Sequence, residues 1–114
     1  RQPTADDVVR HIEHAVNVAG EEHVSIGTDG TLSPIALTTD FVRSFRANVA
    51  RRKAAGIAAP QESAEGYLFA DDLNTPRRFE QLADRLSLRG HSDDRVEKIL
   101  GTNLLRVFGA AWTN

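Results

Sequence analysis

Cysteine is missing from all 114 residues. A disulfide framework, a thiolate zinc site and a cysteine nucleophile are therefore excluded within this chain. Methionine is missing too, position 1 included, and the chain opens Arg1-Gln2-Pro3; this is expected of a processed chain or of a piece of something larger. Neither sign of charge dominates: 14 basic residues face 16 acidic ones, for a formal charge of −2. Nucleic acid is not an expected partner, because bulk electrostatic attraction to phosphate is lacking. No apolar run approaches the roughly 20 residues that cross a bilayer, so no membrane span is expected. What remains is 40% hydrophobic and 26% charged, the balance of an ordinary globular domain, at a length suited to one such unit and too short for two.

The first helix is well marked. Thr4-Ala5-Asp6-Asp7 resembles a capping box, in which a hydroxyl and a carboxylate three residues later serve the unpaired N–H groups of a first turn. Val8, Val9, Ile12, Ala15, Val16 and Ala19 then recur at helical spacing, and Gly20 is the natural stop. Thr39-Asp40 is expected to cap a second helix with Phe41, Val42, Phe45 and Val49 on its apolar side. Residues 54–66, rich in small residues, Gly and Pro, read as a loop. Thr75-Pro76 is expected to start a third helix, with Phe79, Leu82, Ala83 and Leu86 on one face and Gly90 at its end. Ser92 opens a fourth carrying Val96, Ile99 and Leu100, which Gly101 is expected to end; a last helix holds Leu104, Leu105, Val107, Phe108 and Trp112.

Between the first two helices, His23-Val24-Ser25-Ile26-Gly27 reads as a short buried strand followed by the turn Thr28-Asp29-Gly30. Helix, loop, strand and turn in this order form the repeating unit of parallel α/β sheets. Tyr67-Leu68-Phe69 is the only other strand candidate. A single strand makes no sheet, so the expectation is an α/β fold whose remaining strands lie outside this sequence.

Asp29 is the candidate catalytic residue, since side chains at the carboxyl ends of strands in parallel α/β folds face the ligand crevice. An ordinary Asx turn explains Asp-Gly on spacing alone, so both readings stand at this level. His11 and His14, three apart on the first helix, are close enough to share an ion, but the helical wheel puts His14 opposite the apolar arc and His11 at its border, as on a solvated face. His23 reads as structural and His91 as part of an inter-helix turn. Arg43, Arg46, Arg51, Arg52 and Lys53 scatter around their helix instead of forming a stripe, which fits solvated surface and ion pairs better than phosphate binding. The stretch from Leu88 to Leu105 imitates a helix-turn-helix, but Asp93-Asp94 at the start of the recognition helix would repel phosphate. No nucleophile triad, Gly-rich phosphate loop or paired-carboxylate spacing stands out.

Taken together, His11-Ile12-Glu13-His14 through Val18-Ala19-Gly20 and His23-Val24-Ser25-Ile26-Gly27-Thr28-Asp29-Gly30 resemble the membrane dipeptidase (renal dipeptidase) family. Arg89-Gly90-His91-Ser92 and Ile99-Leu100-Gly101-Thr102-Asn103-Leu104-Leu105-Arg106-Val107-Phe108 resemble its closing signature, in the right order. The likeness covers residues 6–30 and 76–110; residues 31–75 match only loosely. Where the family usually has Gly-x-Asp-Phe-Asp-Gly, Asp29 here is followed directly by Gly30. It aligns with the first Asp because Gly27-Thr28 precede it.

The resemblance implies that residues 1–114 are the C-terminal part of a (β/α)8 TIM-type barrel, supplying its eighth strand and closing helices, with the rest of the barrel N-terminal to Arg1. It implies a dipeptide substrate, a homodimer as an open possibility for assembly, and two zinc ions whose ligands lie upstream, so that no metal ligand falls in this chain. A hydroxide bridging the metals would attack the scissile carbonyl, and Asp29 would take its proton and pass it to the leaving amine. No substrate-binding residue follows from the resemblance, and His11 and His14 match a structural motif. The alternative from the residues themselves is a non-catalytic, mostly helical interaction domain.

Overall fold

A computed structural model of the chain describes residues 1–112. The first helix, α1, runs Ala5–Ala19. The Thr4 N–H and hydroxyl both donate to the Asp7 carboxylate, at 2.9 and 3.0 Å. A second carboxylate, Asp72, accepts the Ala5 N–H at 2.7 Å from across the fold. Two acids thus serve the positive end of one helix. Ala5, Val9, Ile12 and Val16 are buried along its inner face, and Gly20, at φ 86°, turns the chain away.

The third helix in sequence packs against α1. Thr75 Oγ1 accepts the Arg77 N–H at 3.2 Å, and Pro76 and Arg77 form a turn, so that the helix begins at Arg78, two residues later than Thr75-Pro76 suggests. This helix, α3 (Arg78–Leu88), buries Leu82 and Leu86. After Gly90, at φ 88°, the Ser92 hydroxyl accepts the Arg95 N–H at 3.3 Å and opens α4 (Asp93–Glu97). Gly101 does not stop this helix as expected. A glycine ends a helix by entering the positive-φ region; Gly20, Gly56 and Gly90 do so and Gly101 does not. The backbone instead widens into a π-turn over Lys98–Thr102 and continues as α5, Asn103–Ala111. Val96 and Ile99 complete a core with α1, α3, Val24 and Leu73.

Helix α2 (Thr39–Ala54) stands off this core, with Val49 its buried residue. Its cap is Thr38, not Thr39: the Thr38 hydroxyl accepts the Phe41 N–H at 3.1 Å. Arg52 fastens the far end to Glu62 at 2.7 Å, and Glu62 is nearly buried. The radius of gyration, 16.8 Å, exceeds the roughly 13 Å of a close-packed domain of this length, because α2 and the long connections project from the core.

The expected fold class is corrected here. Among the described residues there is no β-strand, and the chain is a small helical domain rather than part of a (β/α)8 barrel. Val24 is extended (φ −111°, ψ 130°) and buried, as its β-branched side chain favours, but extended backbone becomes a strand only when a ladder forms. The Val24 carbonyl is taken at 2.9 Å by the side chain of Asn103. At Tyr67–Phe69 the Tyr67 N–H donates to Gln2 Oε1 at 2.7 Å, and Gln2 Nε2 donates to the Phe69 carbonyl. Side-chain amides hold the backbone at both strand candidates.

Ion pairs lock the packed helices. Arg89, at the end of α3, grips Glu13 of α1 with two bonds of 2.7 and 2.6 Å, and His91 adds a third contact at 3.1 Å. The Arg89 guanidinium, helped by His91, holds the Glu13 carboxyl down to about 2 from its ordinary 4.5, against the opposing effect of burial. Since the folded-state value is the lower one, this contribution is complete above about pH 4.5 and is lost as pH falls towards 2. Glu13→Gln should therefore cost about 1–2 kcal/mol at neutral pH and flatten the acid limb of a Tm-against-pH curve. Leu86, with no exposed surface, should cost about 2–5 kcal/mol as Leu86→Ala, read as a drop in urea midpoint at unchanged slope.

Candidate functional site

The segment carrying Asp29 leaves the core through a polar clasp. Asn103, buried at the head of α5, donates from Nδ2 to the carbonyls of Glu21 at 2.6 Å and Val24 at 2.9 Å. This fixes the chain where it emerges from the short turn after α1. Ile26 is half-buried against the core, whereas Gly27, Thr28, Asp29 and Gly30 are exposed. Asp29 has φ +45°, in the left-handed region that Asp and Asn enter more readily than other residues with a Cβ. The chain turns at Asp29 through this left-handed backbone, without a side-chain hydrogen bond, and the residue lines a cleft. Among the described residues its carboxylate has no hydrogen bond or ion pair.

The cleft has a volume of ≈ 340 Å³. Residues 28–31 form one lip, and the opposite wall is aromatic, built by α2 and the segment around Tyr67. Phe45 and Tyr67 stand 5.1 Å apart between ring centres, Phe41 and Tyr67 5.9 Å, and Tyr67 and Phe69 5.5 Å in parallel. These rings are half-buried, so their packing with one another sets the wall while one surface stays open. Arg78 closes the remaining side. Its Nε donates to the Thr75 carbonyl at 3.0 Å, and its Nη1 lies 3.5 Å from where a Cβ on Gly30 would stand. A Cβ at position 30 would meet this guanidinium in ordinary van der Waals contact. A second hollow of ≈ 220 Å³ opens behind, sharing Thr28, Phe69 and Arg78.

The other predicted residues lie elsewhere. His11, His14 and His23 are exposed, and no group of three or more His, Asp or Glu that could hold a metal ion occurs among the described residues. His91 does belong to the turn between α3 and α4. Its backbone N–H bonds the Leu86 carbonyl at 3.2 Å, and its ring lies between Glu13 and Arg95. The basic residues of α2 disperse as expected: Arg52 goes to Glu62, Arg51 to Asn48 and Arg43 to Asp40. No helix among the described residues is long and apolar enough to cross a membrane.

No protein-family model and no solved structure matches the chain.

Sequence reasoning missed Arg78, Asn74 and the aromatic wall. Phe41 and Phe45 look like the core face of a helix, and Tyr67 and Phe69 look like strand residues. Their convergence depends on long-range contacts that neither local pattern announces. Asn74 is the clearest case. Its carboxamide accepts from the Ile35 N–H at 2.7 Å and donates to the Ile35 carbonyl at 2.8 Å, pinning the loop between Asp29 and α2 across the cleft. Asn74→Ala should lose about 1–2 kcal/mol locally and speed amide exchange at Ile35, while Leu86 and Ile99 in the core stay protected. Unchanged exchange at Ile35 would overturn the role given to Asn74.

Proposed function

We propose that the chain takes part in the metal-dependent hydrolysis of dipeptides, with Asp29 as the group that moves the proton. The observation that carries this is the placement of Asp29: an exposed, unpartnered carboxylate in left-handed backbone at the mouth of an aromatic-lined cleft. It stands within the segment whose residues resemble the membrane dipeptidase motif. In the reaction, water oxygen attacks the peptide carbonyl carbon while Asp29 accepts a water proton. The carbon–nitrogen bond then breaks, and the same proton passes to the nitrogen of the departing residue, so the carboxylate is regenerated. The described residues do not fit two zinc ions, since no ligand cluster exists among them. The proposal therefore assigns zinc binding to polypeptide N-terminal to Arg1 and asks of this chain only proton transfer and contact with the dipeptide.

Asn is the right replacement for the test, because it tolerates the same backbone region and changes only the acid–base chemistry. In zinc-loaded protein that includes the polypeptide N-terminal to Arg1, Asp29→Asn should cut turnover roughly 10²–10⁴-fold while leaving zinc content intact. Unchanged turnover sinks the assignment.

A second reading, a non-catalytic interaction domain, is favoured by one observation. Leu105, Val107, Phe108 and Trp112 are exposed on and just after α5, with Leu105 at 71% and Trp112 at 75%, and Phe108 and Trp112 stack at 4.8 Å. The same surface is where a homodimer would be sought. A sharp, monomeric thermal transition of the 114-residue chain, with no turnover on addition of any catalytic partner segment, would decide for this second reading.

A further inference from the structure

The cleft holds one carboxylate and one guanidinium that are not paired with each other. Asp29 and Arg78 line the same space, yet no ion pair within 4.0 Å joins them. The Arg78 guanidinium spends its Nε on the Thr75 carbonyl, and its two terminal nitrogens have no partner among the described residues. The guanidinium lies beside the Asp29 turn, its Nη1 3.5 Å from where a Cβ on Gly30 would stand. An anion and a cation set apart in one cleft suit a ligand that carries the opposite charges a short distance apart, as the ammonium and carboxylate of an α-amino acid do. Arginine binds a carboxylate through two parallel N–H bonds and favours it over a neutral amide. Beside these charges stand Phe45, Tyr67 and Phe69, half-buried, with Tyr67 parallel to Phe69 and tilted against Phe45, a surface that an aromatic or large apolar side chain would cover.

We propose that this cleft is a subsite for an aromatic α-amino acid residue, with its carboxylate on Arg78, its nitrogen beside Asp29 and its side chain on the Phe45–Tyr67–Phe69 wall. This rests on the hydrolytic reading only in naming the ligand as the departing residue of a dipeptide, which selects dipeptides whose C-terminal residue is aromatic. Arg78 is then a specificity-determining residue, and the proton passed on by Asp29 arrives at a nitrogen already held in place.

Calorimetric and NMR titration of the 114-residue chain with free L-phenylalanine tests this without turnover or metal. L-Phenylalanine should bind and shift resonances of residues 28–31 and 67–69. Phenylalaninamide, which lacks the carboxylate, and L-alanine, which lacks the ring, should each bind about tenfold or more weakly. Arg78→Gln should abolish the preference for the acid over the amide, and Arg78→Lys should restore part of it. The circular dichroism of both variants, compared with the parent chain, checks that they fold. Absence of binding, equal binding of acid and amide, or alanine binding as well as phenylalanine overturns the subsite. If Asp29→Asn leaves dipeptide turnover untouched while these preferences hold, the hydrolytic reading fails and the amino-acid subsite stands.

Discussion

Pairing of carboxamide side chains with irregular backbone is the constraint on which this molecule depends. Gln2 serves Tyr67 and Phe69, Asn74 serves Ile35, and Asn103 serves Glu21 and Val24. In each case an amide offers a donor, an acceptor or both to peptide groups that no helix satisfies. Sheet ladders usually meet this need, since unpaired polar backbone is costly wherever water is excluded. Here three side chains meet it at isolated points. The chain can therefore carry long extended and looped connections around a helical core without forming a sheet.

The helical core supplies the rigidity those clasps need. Val9, Leu86 and Ile99 are the most deeply buried large side chains, and they come from three different helices. Glu13, Asp72 and Glu21 then tie helix ends together through Arg89, Arg85, Arg95 and Lys98. Partly exposed ion pairs contribute modestly one by one, but these fix the relative rotation of α1, α3 and α4. That rotation places Asn103 against the exit of α1, and hence sets where Asp29 emerges.

Much of the helical part was legible in the sequence, for definite reasons. The arc of Val9, Ile12 and Val16, the Thr4–Asp7 start and the Ser92 cap are local features, read within a few residues of one another. The failures share a cause as well. Val24 and Ile26 favour extended backbone, but extended backbone is not yet a strand, because a ladder is a property of two segments. Gly101 suggests a stop by its identity, whereas its φ decides the matter. The likeness to membrane dipeptidases singles out Asp29 but implies a barrel that the described residues do not form. It is silent on the cleft, because most of the lining comes from residues 31–74, where the likeness is weakest.

The sequence separations spanned by the clasps have a kinetic meaning. Gln2 reaches 65 and 67 residues along the chain, Asn74 reaches 39, and Asn103 reaches 79 and 82. Each closes a long loop for only one or two bonds, a poor exchange of entropy for energy until packing has already brought the ends together. The apolar α1–α3 core, which gains many contacts from one such closure, is thus expected to assemble first, with the aromatic wall and the Asp29 turn drawn in afterwards. The same residues would be the first to come loose when stability falls, so the cleft would open and close more readily than the core beneath it.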